Sequence, residues 1–360
     1  MPRPARTNLS WPGRHAVGVN ATLAFALMVA AACQPSATTP TPTPTGTPPP
    51  TPTGTPPTAS PSASPSATAS PTATPTPIAL PNVAQVDAPS SNLVWALVAG
   101  SRFFRSTDRG VTWEERSLPP AARNPMTSFI SEREGWLASI ASVTPCSAPT
   151  TFWHTTDGGA TWQEVMAIGI VPTPCNGSVS FIDAQHGFVP ALDSEFGPRV
   201  FFTTDGGVTW ASSQILSDPP GLPPQGGRPD FQLGRVRAFG STMLMTVTIR
   251  AQAGPVNYVY RSQDAGLTFT YAASIPTEGT LAIITASRWL RLGPPGASFE
   301  TTDAGASWHS FTTDYSQAAP ISPDIVFADA NVGYATVRGS LQRTIDGGTH
   351  WTTLKTPGTQ

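Results

Sequence analysis

One octapeptide recurs six times and constrains the fold more than anything else in the chain. Its form is Ser/Thr, any, Asp, any, Gly, any, Thr/Ser, Trp. The copies are Ser106–Trp113, Thr155–Trp162, Thr203–Trp210, Ser262–Phe269, Thr301–Trp308 and Thr344–Trp351. Their aspartates are Asp108, Asp157, Asp205, Asp264, Asp303 and Asp346, spaced 49, 48, 59, 39 and 43 residues apart. The chemistry is that of a turn. Hydroxyl and carboxylate oxygens can accept nearby backbone N–H groups. The glycines (Gly110, Gly159, Gly207, Gly266, Gly305 and Gly348) allow positive φ. The closing aromatic (Trp113, Trp162, Trp210, Phe269, Trp308 or Trp351) re-enters as an apolar plug. Phe269 replaces Trp in the fourth copy, and His350 replaces the small hydroxyl residue in the sixth. A fixed turn returning every 39 to 59 residues means a repeat architecture, not a single irregular domain.

A second motif precedes three of the copies. Phe129-Ile130-Ser131, Phe181-Ile182-Asp183 and Phe327-Ala328-Asp329 are each followed, after three residues, by Gly and an aromatic: Gly135-Trp136, Gly187-Phe188 and Gly333-Tyr334. Trp95 and Trp289 are candidates for the same place in weaker copies. The octapeptide resembles the Asp box, or bacterial neuraminidase repeat, of β-propellers. The paired motifs resemble the repeat of photosystem II assembly and stability factors and their bacterial lipoprotein relatives. The resemblance covers residues 81–360. It implies an all-β fold with four strands per repeat, hence a single six-bladed propeller, with a degenerate seventh blade as the alternative. It also places every Asp box on the face of the third-to-fourth-strand turns.

The first quarter of the chain cannot belong to that fold. No Asp, Glu, Lys or Arg occurs between His15 and Val86, and 15 prolines fall between Pro35 and Pro77. Residues 1–32 read as an export signal. Arg3, Arg6 and Arg14 are followed by an apolar run that ends at Val29-Ala30-Ala31-Ala32-Cys33. The small residues before Cys33 resemble a bacterial lipobox, which implies lipid attachment at Cys33; Ala30 stands where that family favours Leu. Ordinary signal cleavage and an uncleaved anchor stay open, and all three readings send the chain out of the cytoplasm. Residues 33–80 form a Thr/Pro/Ser/Ala tract that cannot bury enough surface to fold. Extended at about 3.1 Å per residue, it is a stalk of roughly 100 Å. Outside the cytoplasm, the remaining Cys146 and Cys175 are expected to pair as a disulfide.

Composition narrows the function. From Ile78 onward, 17 basic residues face 22 acidic ones, and Lys355 is the sole lysine. No basic stripe points to nucleic acid. No phosphate-binding glycine loop and no metal-ligand spacing is present, so neither cofactor nor metal is expected. The reading favoured is a non-catalytic, membrane-tethered binding or assembly module, whose partner is another extracytoplasmic or membrane protein. Arg133, Arg235, Arg237, Arg288, Arg291 and Arg338 are candidates for its docking surface, with ordinary surface placement as the alternative. A carbohydrate- or cell-wall-binding propeller is the second reading. A sialidase-type hydrolase is the third; the Arg-Ile-Pro element of that family is missing after Arg102 and Arg105, and Tyr258, Tyr260 and Glu278 make no recognisable site. The face away from the Asp boxes is expected to carry Cys146, Cys175 and the long insertion Ser213–Asp230. Long loops on rigid scaffolds are where binding usually resides.

Overall fold

A computed structural model of the chain describes residues 83–358, apart from short connections at 141–149, 171–177, 194–196, 223–229, 252–253, 276–278, 294–295, 316–323 and 338–339. Cys33, Cys146, Cys175, Glu278 and Arg338 lie outside the described residues. So do residues 1–82, where the export signal and the stalk are expected.

The described residues form six four-stranded antiparallel sheets and no helix. Each sheet is built from four consecutive strands, so the chain is a six-bladed β-propeller. In blade 1 the strands are Val83–Asp87, Val94–Val98, Arg102–Ser106 and Glu114–Arg116. The inner strands of blades 2 to 6 are Pro125–Phe129, Ser180–Phe181, Asp230–Phe239, Thr280–Ile283 and Ile325–Phe327. Each box hydroxyl residue ends a third strand and pairs with the start of the second strand, as Ser106 does with Val94 and Ser262 with Met243. The inner strands therefore also end at the Asp-box face.

The second motif is an interlock between blades. Its Phe and Gly are directly opposed across the first two strands: Phe129 with Gly135, Phe181 with Gly187 and Phe327 with Gly333. The phenylalanine ring lies over the glycine, where any side chain would collide with it. In blades 1 and 2 an aromatic of the second strand then stacks on the next blade's phenylalanine. Trp136 meets Phe181 at 3.9 Å between ring centroids, and Trp95 meets Phe129 at 3.9 Å. Trp95 thus does this work in a blade that lacks the phenylalanine motif.

Among the described residues no strand is exchanged between the first and last blades. The ring closes through side chains instead. Val86, Val94, Ala96, Phe104, Val326 and Tyr334 share one apolar cluster across the seam. The Asp324 carboxylate of blade 6 accepts the Val86 N–H of blade 1 at 3.0 Å.

Candidate functional site

The six boxes share one hydrogen-bond pattern. Ser106 Oγ donates to Asp108 Oδ1 at 2.7 Å and accepts Gly110 N–H at 2.7 Å. Asp108 Oδ1 accepts Thr112 N–H at 2.8 Å, and Oδ2 accepts the Thr112 hydroxyl at 2.5 Å. The carboxylates of Asp157, Asp205, Asp264 and Asp303 are held in the same way. At Asp346 the His350 ring Nδ1 lies 2.6 Å from Oδ2, in the place of the missing hydroxyl. The indole N–H of Trp113, Trp210 and Trp351 returns to the carbonyl of its own box glycine. Phe269 has no such donor and is simply buried. The residue after each aspartate is left-handed. It is Gly158, Gly206 or Gly347 in three boxes, and Arg109, Ala265 or Ala304 in the others.

These carboxylates are turn fixtures and not acid catalysts. Asp108, Asp157, Asp303 and Asp346 are held down to about 2, and Asp205 and Asp264 are lowered as well. The donated Thr or Ser hydroxyl is the largest cause at Asp108, Asp157, Asp264 and Asp303. At Asp205 and Asp346 burial pushes upward and the hydrogen bonds outweigh it. A carboxylate whose pKa falls on folding stabilises the fold above its unfolded value of about 3.9, and that stabilisation is lost as pH falls through the folded value. The melting temperature is therefore expected to hold down to about pH 4 and drop steeply between about pH 4 and 2. Circular dichroism melts across that range check this, and a flat profile would contradict it. Asp87, raised by burial, works in the opposite sense but is one group against six.

The backbone carbonyl just after the box aspartate is also a handle for the neighbouring blade. Trp136 Nε1 of blade 2 donates to Gly206 O of blade 3 at 3.0 Å. Arg288 Nη2 of blade 5 donates to Gly347 O of blade 6 at 3.0 Å. Arg343 Nη1 of blade 6 donates to Arg109 O of blade 1 at 2.8 Å, closing the ring with the same device. Arg288 also pairs with Glu300 at 2.7 Å. Arg291 is 3% exposed, reaches the Ala297 carbonyl and lies over the Phe299 ring. Burial removes Arg291 from a docking surface, which corrects that expectation, and Arg288 is committed to a turn and to Glu300; among the described arginines of that set Arg133 is exposed.

Arg235 and Arg237 are corrected further, because they occupy the central channel. The inner strand of blade 4 carries a β-bulge between Leu233 and Val236. Gly234 and Arg235 together face Thr246, and any side chain at 234 would overlap it. In a regular strand, Arg235 and Arg237 would share the apolar face of Phe231 and Leu233. The extra residue reverses the alternation, so Val236 joins that core and both arginines turn to the axis. Arg235 crosses the channel to pair with Asp87 of blade 1 and donates from Nη2 to Thr127 O of blade 2 at 2.8 Å. Thr127 Oγ1 donates to Asp87 Oδ2 at 2.9 Å, and Gln85 Oε1 accepts Thr127 N–H at 3.0 Å. Arg237 Nη2 donates to Ile325 O of blade 6 at 3.2 Å. Burial lowers the Arg237 pKa and raises that of Asp87, whereas Arg235 is held up by Asp87 against its own burial. A glycine inside an apolar strand, followed by Arg-Val-Arg, was the available sequence signal for this bulge.

Above this network, a cavity of about 660 Å³ opens at the Asp-box end of the channel. Phe129, Ile130, Phe181, Ile182 and Phe327 contribute to its wall, together with Asp87, Arg235 and Arg237. The described part of the long insertion is anchored at intervals, with exposed residues between the anchors. Ser213 and Leu216 are buried, and Tyr260 donates its hydroxyl to Ser217 O at 2.6 Å. That bond and the burial that raises the Tyr260 pKa make it a poor nucleophile. Arg102 and Arg105 are engaged with Glu115, Glu114 and Glu132. Trp153 is 7% exposed and offers no open stacking platform.

No protein-family model matches the chain, and no curated protein matches it. Solved structures similar to it include YCF48 from Cyanidioschyzon merolae, at 18% identity and a TM-score of 0.46, covering 77% of this chain and 86% of that one. A Hadza microbial sialidase matches at 14% identity and a TM-score of 0.46, covering 73% and 66%. The α-L-arabinofuranosidase of Fusarium graminearum matches at 12% identity and a TM-score of 0.47, covering 77% and 93%. These likenesses assign no activity.

Proposed function

We propose that this propeller is a non-catalytic protein-binding module, held outside the cytoplasm on a lipid-anchored stalk, and that its partner docks on the Asp-box rim of blades 2 to 4. One observation carries the docking site. Among the described residues, the exposed large aliphatic side chains are Val111, Met166, Ile168, Val208, Ile215, Leu267 and Ile345. Val111, Val208, Leu267 and Ile345 lie within boxes, and the other three lie on outer segments of blades 2 and 3. Ile168 is hydrogen-bonded to the third box through Val208 O at 2.9 Å and Trp210 N–H at 2.8 Å. Gln214, beside Ile215, reaches Leu267 O of the fourth box at 2.9 Å. Single exposed aliphatics such as Val111, Ile215 and Ile345 are ordinary on a soluble surface, but Met166, Ile168, Val208 and Leu267 fall together on blades 2 to 4, and such a group supports an interaction site there. The stalk and Cys33 support display away from a membrane.

The test is photo-crosslinking in cells with a benzophenone residue at position 166 or 208, and at position 353 on blade 6 as control. A discrete protein adduct from the first two positions and not the third is expected. Equal labelling from all three, or none, overturns the reading. Mass spectrometry of the same material is expected to show a mature chain starting at lipidated Cys33, and an intact Met1 start removes the tether.

A further inference from the structure

We propose that the axial cavity at the Asp-box end of the channel binds a small carboxylate with an apolar, aromatic-sized body. This is a site separate from the rim, and it stands or falls independently of the partner. Three observations converge. The first is shape: about 660 Å³ is within the usual range of small-ligand pockets, and the channel below is crossed by the Arg235–Asp87 pair, so the cavity is a cup and not an open pore. The second is the wall. Phe129, Phe181 and Phe327 come from the inner-strand ends of three blades, joined by Ile182, Ile284 and Phe239. The rings of Phe129 and Phe181 are committed to the stacks between blades and present only their edges, which suit the edge-on approach of a flat apolar body.

The third is the charge at the cup's base. Arg235 is satisfied by Asp87 and by Thr127 O. Arg237 is not. A guanidinium has five N–H donors, and among the described residues the one hydrogen bond made by Arg237 is Nη2 to Ile325 O at 3.2 Å. It is half-buried and lines the cavity, so its remaining N–H groups are open to a ligand there, and a charge-assisted bond is the stronger kind. Asp324, on blade 6, attracts Arg237, and Arg235 repels it. Asp324 itself is engaged by Val86 N–H. Arg235 is neutralised by Asp87, which leaves the charge of Arg237, partly offset by Asp324, so the base suits a singly charged ligand and disfavours a phosphate dianion. At the rim, Asp329 accepts Asn331 and Val332 N–H groups and is occupied by its own turn.

The probe is 3-phenylpropionate, with neutral 3-phenylpropionamide as its isosteric control, titrated into the full chain by calorimetry and methyl NMR. The acid is expected to bind one-to-one and about tenfold tighter than the amide. Ile182 and Ile284 methyl signals are expected to shift, while Ile168 and Ile345 on the outer rim stay still. Arg237→Gln, which keeps a donor for Ile325 O, is expected to weaken the acid about tenfold and leave the amide unchanged. Arg133→Gln is expected to change neither. No saturable binding, equal affinity for acid and amide, or shifts confined to the outer rim overturns the proposal. Should Arg237→Gln unfold, the acid-to-amide ratio and the methyl map on the unaltered chain decide alone.

Discussion

Replacing Trp136 with alanine is expected to cost about 3–5 kcal/mol and to lower the melting temperature by on the order of 10 °C. Three contacts disappear together. The indole is fully buried, stacks on Phe181 at 3.9 Å with 5° between the planes, and faces His154 at 4.4 Å. Its Nε1–H grips Gly206 O of the next blade's turn at 3.0 Å. The cavity left behind would lie between two sheets that share no strand ladder and meet mainly through side chains, where little can collapse into it. Trp136→Phe keeps part of the stack and loses the hydrogen bond, so about 1–2 kcal/mol is expected. Chemical denaturation of the two variants checks the order. If alanine costs no more than phenylalanine, the stacking between blades is not what holds them.

Arg235→Met is expected to destabilise by about 3–5 kcal/mol, because it leaves Asp87 buried without its cation. Asp87 is 6% exposed, and its other described side-chain donor is the Thr127 hydroxyl at 2.9 Å. Loss of the guanidinium also removes one of the two donors to Thr127 O, leaving Gln85 Nε2, so blades 1, 2 and 4 lose a shared tie across the axis. The double variant Asp87→Leu, Arg235→Met removes both charges and should recover most of the loss. A double-mutant cycle is expected to report a coupling of about 2 kcal/mol or more. A single variant as stable as the unaltered protein would show that the axial pair carries no weight in closing the ring. A ring without strand exchange has reason to depend on such a pair, since its seam rests on side chains and not on a shared sheet.

The turn and the blade were legible in the sequence because both are local. Six residues around each aspartate complete their own hydrogen bonds, so the octapeptide carries its structure with it. Phe129 and Gly135 face one another across a short connection, so their motif is readable at fixed spacing. The departures were readable as well: His350 offers a ring nitrogen where Thr112 or Ser307 offers a hydroxyl.

What the spacing could not show was where each arginine ends. Arg235 and Arg237 look like surface residues in a list, and Arg288 looks no different. One extra residue at Gly234 turns the first two inward, because side chains alternate along a strand and a bulge reverses that alternation. Arg288 and Arg343 are consumed by carbonyls 59 and 234 residues away in sequence. The long insertion drew attention by its length, yet its described part is anchored by Tyr260. The chain by itself determined the blade, the number of turns and the charge-free stretch before Asp87, since each rests on neighbouring residues. The axial network, the cavity above it and the exposed rim were decided only when six similar sheets were brought around one axis, because their partners come from different blades.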